Sequence, residues 1–390
     1  MNMRIQIDIQ TRLHINGGIM NKPNLVFVNN VIVNPDSPIH RVKYEVLSGH
    51  YTGIMFYLKD DCYNKHVIGD FICSSCPYYS SIKRLIKYTL HCIKTTKAIG
   101  PVDVIIVNDP LLPGIVGYIL KMLTGAKLIV EINTDNVSTM KITGTSWFKR
   151  LKSSLVPMVM RFILAKADAV KFVNAILLNK LVNTFDLSGK EVRNFFDFVP
   201  SSVFSKHAPE EPPYIFLAGL PYQIKGVDVL IRAFNLISGD FPGVRLKIIG
   251  HCEDLSPYKE LAGGNPAVEF NRGMPYSEII QHFEKCLFFV LASRSEGLPR
   301  AIIDAMSAGK AVIGARVGGI PELIQDGVNG YLFESENHEM LAEKMRILLL
   351  DEKLRSDMGE AGYRLVQEHY TPRRYVEHYK ELIDRVLNLA

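Results

Sequence analysis

The sequence predicts an α/β protein made of two doubly wound, Rossmann-like domains that face each other across a deep cleft. Three observations predict it. The chain has 390 residues, well beyond the roughly 100–150 of a common single domain. Short β-branched stretches alternate with segments of helical period, the mark of parallel sheet covered by helices on both faces. That alternation occurs twice, and the stretch 199–213, with Pro200, Pro209, Pro212 and Pro213, separates the two runs as a linker.

Residues 1–22 form an extension that the pattern leaves open. Ile5, Ile7 and Ile9 alternate like an added edge strand, whereas Met20 is a second candidate for the initiator. The first domain, 23–198, has strands expected at 24–30, 53–58, 102–107, 126–132 and 168–173. A helix is expected over 80–97, with Ile82, Leu85, Ile86 and Ile93 on one apolar stripe. The second domain, 214–365, has strands expected at 214–218, 244–250, 267–270, 287–292 and 311–315. From 337 the pattern is helical to the end, and 366–390 is expected to pack back toward the first domain. Such a pair of domains predicts a ligand site in the cleft, at the carboxyl ends of the strands.

Hydrophobic residues make up 47% and charged residues 22% of the chain, which excludes disordered and collagen-like classes. The longest membrane-like stretch, 155–165, contains Pro157 and Arg161 and is far short of the ~20 apolar residues of a spanning helix. No basic segment leads into an apolar one at the start, so a cytoplasmic protein is expected. Of six cysteines only Cys73 and Cys76 form a CxxC pair, which reads as reduced thiols in a polar loop. Residues 1–197 hold 24 Lys and Arg against 14 Asp and Glu, while the remainder holds 21 against 26. A basic half on an acidic half suits one face that meets an anionic partner, or plain solvated charge.

The segment 147–167 (WFKRLKSSLVPMVMRFILAKA) sharpens that choice. Lys149, Arg150, Lys152, Arg161 and Lys166 surround an apolar face of Phe148, Leu151, Leu155, Met158 and Phe162, with Trp147 at the edge. A basic amphipathic segment of this kind fits the surface of an anionic membrane, or an ordinary helix with a solvated basic side. The expected partner is therefore an anionic membrane surface rather than nucleic acid, with the protein peripheral at the inner face of the cell membrane.

The chemistry is concentrated in 293–314 (SRSEGLPRAIIDAMSAGKAVIG). A buried strand runs into a polar loop, Pro299 stands at the first position of a helix, and Gly309 ends it after Ile302, Ile303 and Met306 supply the buried stripe. Gly297 allows close backbone approach, and free amides at a helix N-terminus suit anionic or hydroxyl-rich ligands. Glu296 and Asp304 then offer carboxylates to sugar hydroxyls. A second segment, 218–234 (AGLPYQIKGVDVLIRAF), puts Lys225 directly before a helix whose Val227, Leu230, Ile231 and Phe234 face inward. A cation and a helix N-terminus together make a diphosphate site.

These motifs resemble those of family 4 glycosyltransferases, which are retaining enzymes of the GT-B fold. The resemblance rests on the Glu-Gly-x-Pro loop at 296–299, the second acid eight positions later, and the continuation 314–333 (GARVGGIPELIQDGVNGYLF) with Gly318, Gly319, Pro321, Glu322, Gly327 and Gly330. It is tight over 214–335 and loose over 24–385. It implies a glycosyltransferase that moves a hexose-type sugar from a nucleotide-diphosphate sugar to a glycan acceptor, lipid-linked in this reading, in cell-surface polysaccharide or glycolipid synthesis.

By that resemblance Glu296 is catalytic and faces the transferred sugar, and Asp304 binds the ribose where the family usually has Glu. Gly219, Lys225, Met274, Gly297, Leu298 and Arg300 complete the donor side, with Lys225 on the diphosphate and the backbone at Gly273 and Met274 against the nucleobase. Asp36, Ser37, Asn133 and Asp135 line the acceptor side of the cleft, Ser37 or Asp36 also being a candidate cap for the next helix. The family's diphosphate-binding Arg is Leu220 here, for which Arg300 is the candidate substitute, and its His near the reacting carbon is Asn133. No paired-acid metal motif stands at a strand end, so no metal and no cofactor beyond the donor substrate are expected. The departures at Leu220 and Asn133 motivate the alternative of a catalytically weak nucleotide-sugar-binding protein that acts with an active partner.

Overall fold

The computed structural model describes residues 22–32, 37–59, 63–77, 81–134, 147–196 and 198–388. The residues 1–21, with the alternation at Ile5, Ile7 and Ile9, lie outside them, as do Asp36 and Asp135. Two sheets are present among the described residues, and their central strands are too apolar to face water on either side.

The first sheet contains β1 (Asn24–Ile32), β2 (Thr52–Lys59), β3 (Lys65–Ile68), β4 (Phe71–Pro77), β5 (Val104–Val107), β6 (Lys127–Ile132), β7 (Ala169–Phe172) and β8 (Glu191–Asn194). Their order is β3-β4-β2-β1-β5-β6-β7-β8. All pairs are parallel except β3 with β4. The helices between them are α1 (Pro38–Leu47), α2 (Ser81–Ile99), α3 (Leu112–Thr124), α4 (Trp147–Lys166) and α5 (Ala175–Val182).

The second sheet contains β9 (Tyr214–Ala218), β10 (Arg245–Ile249), β11 (Val268–Asn271), β12 (Phe288–Leu291), β13 (Val312–Ala315) and β14 (Gly330–Phe333), in the order β11-β10-β9-β12-β13-β14 and parallel throughout. Its helices are α6 (Tyr222–Lys225), α7 (Val227–Ile237), α8 (Ser256–Ala262), α9 (Tyr276–Lys285), α10 (Arg300–Ser307) and α11 (Ile320–Leu323). Three longer helices follow: α12 (His338–Leu350), α13 (Glu352–His369) and α14 (Pro372–Asn388). The double α/β architecture expected from the alternation is therefore present.

Each sheet is buried on both faces, as parallel sheets require. One face of the first sheet packs Val26, Phe56, Ile105 and Leu128 against α3 and α4 residues such as Val116 and Ile163. Its other face packs Phe27, Tyr44 and Phe71 against Tyr375, Tyr379, Leu382 and Ile383 of α14. The chain thus returns from the second domain to finish the core of the first.

Several expectations are corrected. Cys73 and Cys76 lie on β4, not in a polar loop, and both are buried. Three residues apart on a strand, they face opposite sides, Cys73 among the α14 face and Cys76 on the other. They cannot share a metal or a disulfide. On α2 the buried residues include Tyr88 and Cys92, whereas Ile86 is 54% exposed and does not belong to the inward stripe. The apolar face expected on α4 is not one of these corrections: Leu155, Met158 and Phe162 point to solvent, while Val156, Met160, Ile163 and Leu164 point inward. The strands β3, β4, β8 and β14 were not expected, because Ser, Cys, Glu and Arg interrupt their apolar pattern or Gly begins it.

Candidate functional site

The order of the second sheet reverses between β9 and β12: the chain builds outward from β9 to β11, then restarts at β12 on the other side. Loops leaving adjacent strands at such a point diverge and open a crevice at their carboxyl ends. The short helix α6 after β9 ends in Lys225, and the loop after β12 carries Glu296. Their side chains meet, Nζ to Oε1 at 2.6 Å. The Ser293 hydroxyl donates to the same oxygen at 2.6 Å.

Two glycines make that meeting possible. Gly219 lets the Lys225 stem lie across it, since a Cβ there would sit 2.9 Å from Lys225 Cγ. Gly226 has φ 62°, the left-handed region that favours glycine, and a Cβ would lie 1.9 Å from the Ala292 carbonyl oxygen. The turn into α7 is therefore pressed onto the end of β12. Arg294 fixes the other loop: it donates to both carboxylate oxygens of Asp228 at 2.9 and 2.7 Å, to Glu336 and to the Gln223 carbonyl. Such bidentate Arg–carboxylate pairing is geometrically specific.

Asp304 sits one helix away, on the inward face of α10, and its residue is only 3% exposed. Tyr276, at the start of α9, donates to its Oδ1 at 2.8 Å, and Arg300 Nε lies 3.8 Å from the same oxygen. Burial raises the Asp304 carboxyl to about 6, against the opposing pull of Arg300 and of the Tyr276 hydrogen bond. Arg300 also donates weakly to the Phe198 carbonyl at 3.4 Å and lies over the Tyr276 ring. Its contacts are thus on the Asp304 side of α10 rather than with Lys225. Pro299 caps α10 from just outside, and Arg300 takes the first helical position expected for the proline. Leu220 is 63% exposed and precedes a cis peptide to Pro221. Met274 lies between β11 and α9 and packs partly against the core.

From the first sheet, Asn133 follows β6 directly. Its Nδ2 donates to the Asn108 carbonyl at 3.0 Å and to Glu131 Oε2 at 3.4 Å. Gly297 faces it closely: a Cβ on Gly297 would lie 2.1 Å from the Asn133 carbonyl oxygen. The glycine expected to admit a ligand therefore also admits the other domain. Leu298 packs against the cores of both halves. Ser37 is the N-cap of α1, but its hydroxyl lies 2.8 Å from His40 Nδ1 and makes no capping bond to an amide.

The structure therefore brings Gly219, Lys225, Glu296 and Gly297 together at the switch point, with Asn133 against Gly297. Arg300, Asp304 and Tyr276 form a second group on α9 and α10, while Met274 packs against the core before α9. Sequence reasoning does not single out Ser293, Arg294, Asp228, Tyr276 or Asn174, and it names Glu322 only as part of the motif, without a contact. Only their proximity to the motif in sequence could have suggested Ser293 and Arg294. No group of three or more His, Cys, Asp or Glu that could hold a metal occurs among the described residues. Chemically, a cation already paired with a carboxylate can exchange that partner for an entering anion and free the carboxylate for hydroxyl groups.

Comparison with known proteins gives this crevice a context. Residues 200–365 match the family described as Glycosyl transferases group 1. An uncharacterized glycosyltransferase of Methanocaldococcus jannaschii is 29% identical over 311 residues, 77% of this chain and 82% of that protein. Among solved structures, sucrose-phosphate synthase from Thermosynechococcus elongatus superposes with a TM-score of 0.78 at 15% identity, covering 95% of this chain and all of that one. The Anabaena HepE protein in complex with UDP and glucose superposes at 0.69 with 14% identity, covering 92% and 99%. At these identities the two structures speak to the fold.

Proposed function

On the premise that this chain is a glycosyltransferase of group 1 that uses a nucleotide sugar, we propose that it is a retaining, metal-independent enzyme acting on a membrane-associated acceptor. The observation that carries the reading is the Lys225–Glu296 pair at the switch point. The donor diphosphate takes Lys225 from Glu296, and Glu296 turns to the hydroxyls of the transferred sugar. Asp304 receives the ribose and the Met274 backbone the nucleobase. Asn133 and Ser37, with Asp36 and Asp135, belong to the acceptor side.

In the transfer step the bond from the anomeric carbon to the phosphate oxygen breaks, and the acceptor oxygen bonds that carbon on the same face. The acceptor proton passes to the departing phosphate oxygen, so no base is consumed. Lys225 and loop amides stabilise the charge that grows on the leaving diphosphate, the usual large term in such catalysis. A glycoside hydrolase fits less well, since retaining hydrolases need two carboxyls about 5–5.5 Å apart, and Asp304 is enclosed by Tyr276 while Glu296 is held by Lys225.

The test is hydrolysis and transfer across a panel of UDP-, GDP-, ADP- and dTDP-sugars, with and without EDTA. One donor is expected to be consumed at a rate that chelator leaves unchanged. Activity lost with EDTA and restored by magnesium or manganese contradicts the metal-independent reading. The exposed Leu220, standing at the family's arginine position, favours the second reading of a weak nucleotide-sugar binder; binding without turnover across the whole panel supports it.

The membrane part rests on α4 and the end of α3. Leu155, Met158 and Phe162 are 52%, 67% and 50% exposed, beside exposed Met122 and Leu123. Arg161 and Lys166 lie on the same helix. No helix among the described residues is long and apolar enough to cross a membrane, so contact would be interfacial, at about 1 kcal/mol per basic residue near an anionic surface. Co-sedimentation with anionic vesicles is expected at low salt, falling as salt shortens the Debye length, and not with neutral vesicles. Equal recovery in all conditions, or none, removes this part.

A further inference from the structure

The first residue of α5 is reached from the other domain. Asn174, 3% exposed, caps the helix by accepting from Leu177 N–H at 2.6 Å. Its Nδ2 donates across the domain boundary to the Gly297 carbonyl at 2.6 Å. Glu322 of α11, in the second domain, accepts from Ala175 N–H at 3.1 Å and from Ile176 N–H at 2.7 Å. Helix N-termini leave their first amides unpaired and carry partial positive charge, so a carboxylate is a favourable partner. Here that carboxylate comes from the opposite half.

The sequence of the second domain is cut to allow this reach. The Gly297 carbonyl also accepts from Gly319 N–H at 2.7 Å, which ties the loop of Glu296 to the turn before α11. A Cβ on Gly319 would lie 2.3 Å from the Gly297 oxygen and 2.5 Å from Asn174 Nδ2. A Cβ on Gly318 would lie 2.0 Å from the Glu296 carbonyl oxygen. Three backbone segments and one buried amide therefore meet at a point one residue from Glu296.

We propose that Asn174 and Glu322 are positioning residues that set the register of the two domains, holding the Gly297 loop against Asn133 so that Glu296 faces the acceptor half. This rests on the transferase reading for its effect on catalysis, but not for its effect on domain position. Neither residue touches the reacting atoms; both act through the backbone of the loop that carries Glu296. Loss of either releases the loop from the first domain while Lys225, Ser293 and the donor half stay in place.

The experiment uses the full chain with one spin label on α2 and one on α12, and measures the distance distribution between the domains. Asn174→Asp keeps the oxygen that caps α5 and removes the donor to Gly297. Glu322→Gln keeps an acceptor and removes the charge, and Glu322→Ala removes both. Asn174→Asp and Glu322→Ala are expected to broaden the distribution toward longer distances, with Glu322→Gln between them and the parent. UDP or GDP affinity, whichever the parent binds, should change less than threefold, while transfer falls about tenfold or more in kcat at nearly constant donor KM. Unchanged distances in folded Asn174→Asp and Glu322→Ala overturn the proposal, and so do opened domains with unchanged transfer. If Glu322→Ala melts early, Asn174→Asp decides, because its helix cap survives. A parent that binds no nucleotide sugar fails the transferase reading alone, and the distance measurement still decides the register.

Discussion

Each sheet of this molecule ends near the cleft in a lysine–glutamate pair, and the two pairs do different things. On the first sheet, Lys171 of β7 lies 3.3 Å from Glu131 of β6, with side chains 1% and 6% exposed. Tyr379 of α14 donates to the same Glu131 oxygen, Asn133 donates to the other, and Lys171 sits over the Phe195 and Tyr379 rings. On the second sheet, Lys225 and Glu296 lie 2.6 Å apart with side chains 18% and 9% exposed. The first pair is walled in by its own fold. The second joins the end of α6 to the loop after β12 and keeps part of its surface exposed. The same two side-chain types are thus closed over by aromatic rings in one sheet and left partly exposed in the other, which suits the second pair to the binding role proposed for it.

The sharpest way to break this contrast is to remove one member of the enclosed pair. Lys171→Ala leaves Glu131 buried without its cation, which typically costs 3–5 kcal/mol. Unfolding by urea should show that loss, while nucleotide affinity of the remaining folded protein stays near the parent's. A stability change below ~1 kcal/mol would mean that the enclosed pair is not what ties β6, β7 and α14 together.

A smaller effect is expected at the buried carboxyl of the second group. Because burial raises Asp304 to about 6 in the folded chain from an ordinary 3.8, the folded state favours its protonated form. The associated stability is present below pH ~4 and is lost as pH rises through about 6. One pKa unit corresponds to 1.36 kcal/mol, so ionised Asp304 costs at most about 3 kcal/mol at neutral pH. Asp304→Asn should therefore raise the melting temperature at pH 7–8, with the gain shrinking toward pH 4. A difference that is constant over that range would show that Asp304 does not titrate as its burial demands.

The two halves also differed in how far their sequences could be read. All of the second sheet but β14 is legible because its strands are short and mostly apolar, with β9, β12 and β13 fully buried, and because 293–333 carries a motif whose residues fall within reach of one another. The first sheet hid β4 behind FICSSCP, whose serines and cysteines are buried yet do not count as a strand pattern. The stripe on α2 failed at Ile86 because the helix turns Tyr88 and Cys92 inward instead. On α4, Leu155, Met158 and Phe162 point outward while Val156, Met160, Ile163 and Leu164 fill the core, and amphipathic spacing alone does not say which stripe meets the core. What the sequence could not reveal at all were pairings across long separations: Arg294 with Asp228, Tyr276 with Asp304, and Asn174 with Gly297. These depend on which loops the switch point brings together, and no local periodicity carries that information.

If the Lys225–Glu296 pair on the second sheet is the working one, removing its negative charge should cost transfer and spare nucleotide binding. Parent and Glu296→Gln are assayed side by side for transfer with the donor that the panel identifies, and for affinity toward the matching nucleoside diphosphate. Glutamine fills the same space and keeps an acceptor for Ser293 but loses the charge that Lys225 pairs with. Transfer is predicted to fall about 10²–10³-fold, the usual effect of removing one charge-stabilising group from a preorganised site, while diphosphate affinity holds or tightens because Lys225 is released. Equal transfer rates in the two proteins, at equal fold stability, would contradict the account.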